Sequence, residues 1–215
     1  MKITNIVIIF IISLSFLISC WFWPRMPENM VSHWNVLGEP DGYLPKHIAL
    51  FLMPFISIGL VLLFLAIPKI DPLRENIEKF RKCYDVFVLL LIIFLFYIYL
   101  LSVLYNLGWK INMSRCIPPA IGLFFYYLGS LLSKAKRNWF IGIRTPWTLS
   151  SEKVWEHTHQ RGAKLFKISG IFALAGIFFS SQAIYFVIVP VIFVSAYVVV
   201  FSYFDYQREI SAKEN

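Results

Sequence analysis

Six stretches of this chain are apolar for long enough to cross a lipid bilayer, and no other feature limits the fold so strongly. They fall at 3–23, 48–67, 86–107, 116–133, 165–181 and 183–204. About 20 mostly apolar helical residues are needed to cross about 30 Å of hydrocarbon. The fourth run is the weakest, being short and opening with Pro118-Pro119. Proline is tolerated in a helix's first turn, where its missing N–H had no partner anyway. Only Ser180-Ser181-Gln182 separates the last two runs. A single helix over both would be far too long for one crossing at about 1.5 Å per residue. A tight hairpin, and therefore six spans, is expected.

Composition points the same way. Apolar residues make up 59% of the 215 and charged residues 15%, against about 45–50% and about 25% in soluble domains. A soluble fold of this size has too little interior for that much apolar surface. The expected class is all-α: a polytopic membrane helix bundle with six transmembrane helices.

Lysine and arginine set the orientation. The N-terminus, the 68–83 loop, the 134–167 segment and the C-terminal tail hold 1, 5, 8 and 2 of them. The 24–47 loop, the 108–115 loop and the 180–182 turn hold 2, 2 and 0. The richer side is assigned to the cytoplasm, which puts both termini there, in a multi-pass protein of the plasma membrane. Topology thus accounts for the net charge of +8, and a nucleic-acid role loses its support. Leu17-Ile18-Ser19-Cys20 also fits a lipoprotein cleavage box. Trp21-Phe22-Trp23-Pro24 follows at once, however, and reads as an interfacial belt that keeps the span.

Chemistry is sparse within the spans. No span carries a charge near its centre, so the residues that mark proton relays and ion paths are missing. Tyr97, Tyr99, Asn106, Tyr126 and Tyr127 are expected to satisfy one another between helices. Ser169, Ala173, Gly176 and Ser180 place small residues on one stripe of the fifth span, suited to close packing inside the chain or, alternatively, against a second copy. Cys20, Cys83 and Cys116 form no CxxC pair, so neither a metal nor a redox site is expected. Cys20 and Cys116 both lie near outer span ends, which leaves a disulfide between them open.

Two segments carry more information. The loop PRMPENMVSHWNVLGEPDGYLPK is dense in turn chemistry, with prolines fixing φ and Gly38 and Gly42 permitting left-handed backbone. His33, Trp34 and Tyr43 supply rings suited to the headgroup level. The loop is either an ordered cap on the bundle or a recognition surface. In the segment NWFIGIRTPWTLSSEKVWEHTHQRGAK, Thr148, Ser150, Ser151 and Glu152 announce a capped helix. Trp155 and His159, four apart, share one of its faces. Arg144, between aromatic groups, is expected to donate to helix carbonyls or lipid phosphate, or to stack on Trp147 or Trp139. Glu156 and His159 form a Glu-x-x-His pair, but a carboxylate-bridged metal site needs a second pair. His157 and His159 point to nearly opposite faces. No nucleophile elbow, P-loop or dinucleotide signature is present. No catalysis, metal or cofactor is expected.

At these two segments the chain resembles the SdpI family of membrane proteins. HWNVLGEPDGYLPK resembles the small module of unknown function that often begins such proteins, and NWFIGIRTPWTLSSEKVWEHTHQRGAK resembles their C-terminal signature. Ser130, Arg137 and Trp139 depart from the asparagine, proline and tyrosine expected there. The resemblance implies three parts: an N-terminal module over 1–70, central spans over 71–133 and a signature segment over 134–215. It implies immunity against a secreted membrane-active peptide toxin, and in the founding member also a receptor that sequesters a cytoplasmic repressor. The positions carried over are His33, Trp34, Asn35, Gly38, Asp41 and Gly42 outside. Inside they are Asn138, Gly142, Arg144, Thr145, Pro146, Trp147, Thr148, Trp155 and His159. Toxin peptide, repressor and membrane lipid are the implied partners. A transporter or channel, and a membrane-embedded enzyme, are the competing readings.

Overall fold

A computed structural model describes residues 3–214, without the side chains of Ser180, Ser181 and Glu214. Helix α1 covers Ile3–Phe22 and ends in a 3-10 turn, Trp23–Arg25; strands β1, Asn29–Trp34, and β2, Pro40–Pro45, follow. Then come α2 (Lys46–Ile70), α3 (Arg74–Lys79), α4 (Arg81–Asn106) and α5 (Met113–Leu132). The chain closes with α6 (Pro146–Ser150), α7 (Glu152–Ala175), a 3-10 stretch Gly176–Gln182 and α8 (Tyr185–Glu214). Six helices, α1, α2, α4, α5, α7 and α8, are long and apolar enough to span a membrane. The expected six-span bundle is what the chain forms. The short β1–β2 hairpin is the one departure from helix among the described elements.

Two boundaries differ from the apolar runs for a physical reason. Helix α7 begins at Glu152, well before the apolar stretch that opens at 165, and α8 continues past 204 to Glu214. Hydropathy sees only the part of a helix that meets hydrocarbon, whereas backbone hydrogen bonding carries the helix on through charged residues. The last two spans are joined by the 3-10 stretch and a turn at Ala183 and Ile184 rather than by three residues alone.

The outward surface is apolar, with Phe10, Leu17, Phe178 and Phe193 all more than half exposed, as lipid-facing positions require. Inside, hydrocarbon is no poorer a solvent than leucine, so close packing and hydrogen bonds must hold the helices. Helices α5 and α7 meet backbone to backbone. A Cβ added at Gly122 would stand 2.6 Å from the Gly170 carbonyl, and one at Gly170 would stand 2.5 Å from that of Gly122. Ser169 and Ala173 are buried, so the small-residue stripe packs within the chain. Ser180, its last member, has its side chain outside those described.

Among the described residues, Tyr97, Tyr99 and Tyr127 bond backbone carbonyls of neighbouring helices rather than one another. Tyr97 donates to the Cys116 carbonyl (3.1 Å) and Tyr127 to that of Cys83 (3.0 Å). Tyr99 donates to the Ser15 carbonyl at 3.0 Å, while Ser19 bonds the Leu50 carbonyl at 2.7 Å and meets the Tyr99 hydroxyl at 2.7 Å. These bonds tie α1 to α2 and α4, so the first span is built into the core. Cys20, Cys83 and Cys116 are all free thiols.

Candidate functional site

The two informative segments fold at opposite ends of the bundle. At one end, β1 and β2 pair antiparallel, with Met30 opposite Leu44, Val31 opposite Tyr43 and His33 opposite Gly42. The turn is built by Asn35. Its side-chain oxygen accepts from the N–H groups of Leu37 (2.9 Å) and Glu39 (3.0 Å). Gly38 lies at φ +82°, the left-handed region where a side chain is strained. Gly42 has a different reason: a Cβ there would meet the His33 Cβ at 2.8 Å. His33 Nδ1 and Asp41 Oδ1 are 2.5 Å apart on the exposed face.

The hairpin is fixed to the bundle. The Asn106 side-chain oxygen accepts from the Val31 N–H at 2.7 Å, and its amide donates to the Val31 carbonyl at 2.9 Å. This closes the outer edge of β1, and Met30 plugs the core beside Leu50, Tyr99 and Val103. Trp34 packs edge-on against Tyr105, ring centres 5.2 Å apart. Its indole Nε1 is buried without a hydrogen-bond partner among the described residues. Tyr43 is exposed. Lys46 pairs with Glu28 at 2.8 Å.

At the other end the 134–164 segment organises around Asn138, which is fully buried. Its amide donates to the carbonyls of Lys136 and Ile141, both at 2.8 Å. Its oxygen accepts from the N–H groups of Phe140 (2.9 Å) and Ile141 (2.6 Å). Gly142 follows at φ +123°, against the His159 and Trp155 rings, where no Cβ fits. Thr145 then caps α6 in a reciprocal box with Thr148, with Pro146 in the first turn. Thr145 Oγ1 reaches Ser202 of α8 at 3.0 Å. Ser151 caps α7 by accepting from the Val154 N–H, and its hydroxyl also bonds Glu209.

Trp155 and His159 share a face, as their spacing predicts, and stack with ring centres 4.0 Å apart. Trp155 Nε1 donates to the Ala135 carbonyl at 2.9 Å. His159 Nε2 accepts from the Ile143 N–H at 3.0 Å, so Nδ1 carries the proton and donates to the Trp155 carbonyl at 2.8 Å. His159 lies in the charged first half of α7, outside the apolar stretch that crosses the bilayer. Burial lowers its pKa to about 4, with the Trp155 bond opposing that shift only in part. The imidazole is therefore neutral and structural at neutral pH.

Arg144 does neither of the expected stackings. Gly142 turns the chain back, and the exposed guanidinium donates to the Trp139 carbonyl at 2.5 Å. Trp147 packs instead on Tyr203, ring centres 5.2 Å apart. His157 faces Asp205 at 3.1 Å and Glu156 faces Lys136 at 3.8 Å, which scatters the Glu-x-x-His pair. Among the described residues no group of histidine, cysteine and carboxylate side chains is placed to hold a metal.

Sequence reading missed Asp71. It is 2% exposed and accepts from the N–H groups of Leu73 (2.6 Å) and Trp139 (2.9 Å). It thereby joins the end of α2 to the tryptophan-rich segment. Asp71-Pro72 signals a local turn, but its long-range partner has no signature. Asn76, donating to the Arg137 carbonyl at 2.8 Å, was equally invisible.

Six spans, an ordered hairpin at one end and a hydrogen-bonded tryptophan-rich fold at the other define a multi-pass membrane protein. Residues 134–203 match the SdpI/YfhL protein family, and residues 10–58 match a domain of unknown function, DUF1648. The chain is 24% identical over 207 residues to Immunity protein SdpI of Bacillus subtilis (strain 168), covering 96% of this chain and 97% of that relative. No solved structure matches this chain.

Proposed function

We propose that this protein gives its cell immunity to a secreted, membrane-active peptide. The observation that carries this reading is the likeness, over almost the full length of both chains, to a protein named for immunity. The absence of central charges from the spans favours it over ion-coupled transport. In this reading the hairpin faces outward and the 134–164 segment faces the cytoplasm, following the lysine and arginine asymmetry. The three parts, 1–70, 71–133 and 134–215, serve as outer module, central spans and signature segment.

The outer surface for the peptide is His33, Trp34, Asn35, Gly38, Asp41 and Gly42. Because Asn106 takes both backbone groups of Val31, the Val31–Tyr43 pair exchanges no backbone bonds, and Tyr43 presents its N–H and C=O outward. An extended peptide can add to such an edge through backbone bonds, with rings such as Tyr43 giving selectivity. Inside, Asn138, Gly142, Thr145, Thr148, Trp155 and His159 are occupied in holding the segment together. That leaves Arg144, Pro146 and Trp147 as the groups for a cytoplasmic partner such as a repressor.

The test is expression in a cell sensitive to the secreted peptide encoded in the same genome. Survival is expected with the intact protein. Trp34→Ala and Arg144→Ala should each restore killing while the protein still reaches the membrane. An intact, membrane-inserted protein that protects against no co-encoded peptide, yet moves a solute across vesicles, would replace this reading with transport.

A further inference from the structure

We propose that the cleft where the start of α1, the start of α4 and the chain leaving α5 meet is a binding site for the headgroup of an anionic phospholipid. The cleft encloses about 1140 Å³. Lys79, Arg81, Lys82, Lys134 and Lys136 line it, together with the apolar side chains of Ile3, Phe80 and Val86. Among the described residues its only carboxylates, Glu78 and Asp85, both bond Arg81, at 2.9 and 2.8 Å. Lys79 is engaged with the Asn76 side chain at 2.9 Å, and Lys136 stands 3.8 Å from Glu156. Lys82 and Lys134, from different elements, make no ion pair among the described residues. Thr4 adds a hydroxyl bordering the cleft, buried and without a hydrogen-bond partner among the described residues.

A general excess of lysine at one membrane face would spread its charges around the rim of the bundle. Here cations from segments remote in sequence converge on one concave, half-apolar space. The level is also right. Helices α1 and α4 begin and α5 ends beside the cleft, so it opens where headgroups meet hydrocarbon. A phosphodiester there would accept from Lys82, Lys134 and Thr4, and the acyl chains would leave past Ile3 and Val86. Basic pockets between spanning helices recognise anionic headgroups on these terms. A choline headgroup would add a cation beside Lys82 and Lys134, which pair with no carboxylate among the described residues.

The test uses the full-length protein purified in detergent, with retained lipid counted by native mass spectrometry. Phosphatidylglycerol and phosphatidylcholine of identical chains are supplied separately. The intact protein should retain phosphatidylglycerol at least about tenfold more than phosphatidylcholine. Lys82→Gln/Lys134→Gln/Lys136→Gln should abolish that preference. Lys153→Gln/Lys164→Gln, at the same end but outside the cleft, should preserve it. All five lysines are exposed, and an unchanged elution volume and thermal midpoint verify that each variant is folded. Equal loss in both variants, no headgroup preference in the intact protein, or displacement of the lipid by glycerol 3-phosphate at matching concentration would each overturn the proposal.

Discussion

Asn138→Asp changes one atom group and should unfold the signature segment. The native side chain is fully buried and makes four bonds. The introduced carboxyl keeps the oxygen that serves Phe140 and Ile141. It replaces the amide with a second oxygen facing the carbonyls of Lys136 and Ile141, both 2.8 Å from the native nitrogen. Leaving two buried acceptors unpaired costs about 1–3 kcal/mol each. Protonating the acid restores one bond, but each unit by which its pKa must rise costs about 1.4 kcal/mol at neutral pH. Either route comes to about 4 kcal/mol, a large part of a total stability of about 5–15 kcal/mol. At about 2–4 °C per kcal/mol for a chain of this size, the thermal midpoint should fall by roughly 10 °C. The assay is thermal unfolding of the detergent-solubilised protein, followed by tryptophan fluorescence. Asn112→Asp is the matched control. Asn112 caps α5 by accepting from the Arg115 N–H, and aspartate caps equally well. The deficit in Asn138→Asp should also shrink toward about pH 5, where the acid protonates more readily. Two variants with indistinguishable midpoints would refute the view that Asn138 organises the segment.

Other consequences are open to equally direct measurement. In a background without native cysteines, a cysteine placed within 35–42 should react with a membrane-impermeant maleimide on intact cells, and one within 150–156 should not; the opposite pattern reverses the orientation. Gly170→Val should sharply reduce folded yield, because its Cβ would stand 2.5 Å from the Gly122 carbonyl, whereas Gly59→Val, with nothing within 4 Å of its Cβ, should not. His159 contributes stability that is complete above its ordinary pKa of 6.5 and is lost as pH falls toward about 4. The resulting loss at pH 5 is about 2 kcal/mol, so the midpoint should drop between pH 7.5 and 5 in the parent and drop less in His159→Gln; identical drops would show that His159 is not the group responsible.

What could be read from the chain depended on the range of the interaction. Span number was legible because crossing hydrocarbon is a local demand on length and composition. The capped start of α7 was legible too, since Ser151 and Glu152 act on the very next turn. The outer loop showed its turn at Gly38, whereas Gly42, expected in a turn as well, lies in β2 opposite His33, and the strands themselves were not legible. NMVSHW alternates poorly, and β1 is stabilised by Asn106, 75 residues away. For Arg144 the sequence leaves carbonyl, phosphate and ring all open; the reversal at Gly142 selects a backbone carbonyl, that of Trp139. Asp71 could not be recognised at all, because a lone aspartate gains meaning only from Trp139, 68 residues later.

The bonds of Asn106 to Val31 and of Asp71 to Trp139 bear on how this chain can be divided. Residues 10–58 and 134–203 each match a family description of their own, as if they were portable units. Excised as the first, the hairpin loses the Asn106 amide that satisfies the outer edge of β1. Excised as the second, the tryptophan-rich segment leaves the Trp139 N–H without its carboxylate. The bonds that complete both regions come from the stretch between them, at 71 and 106, which neither match covers. A natural protein with either region alone must supply a replacement for the missing partner, and grafts between relatives should exchange 10–106 or 71–203 as blocks.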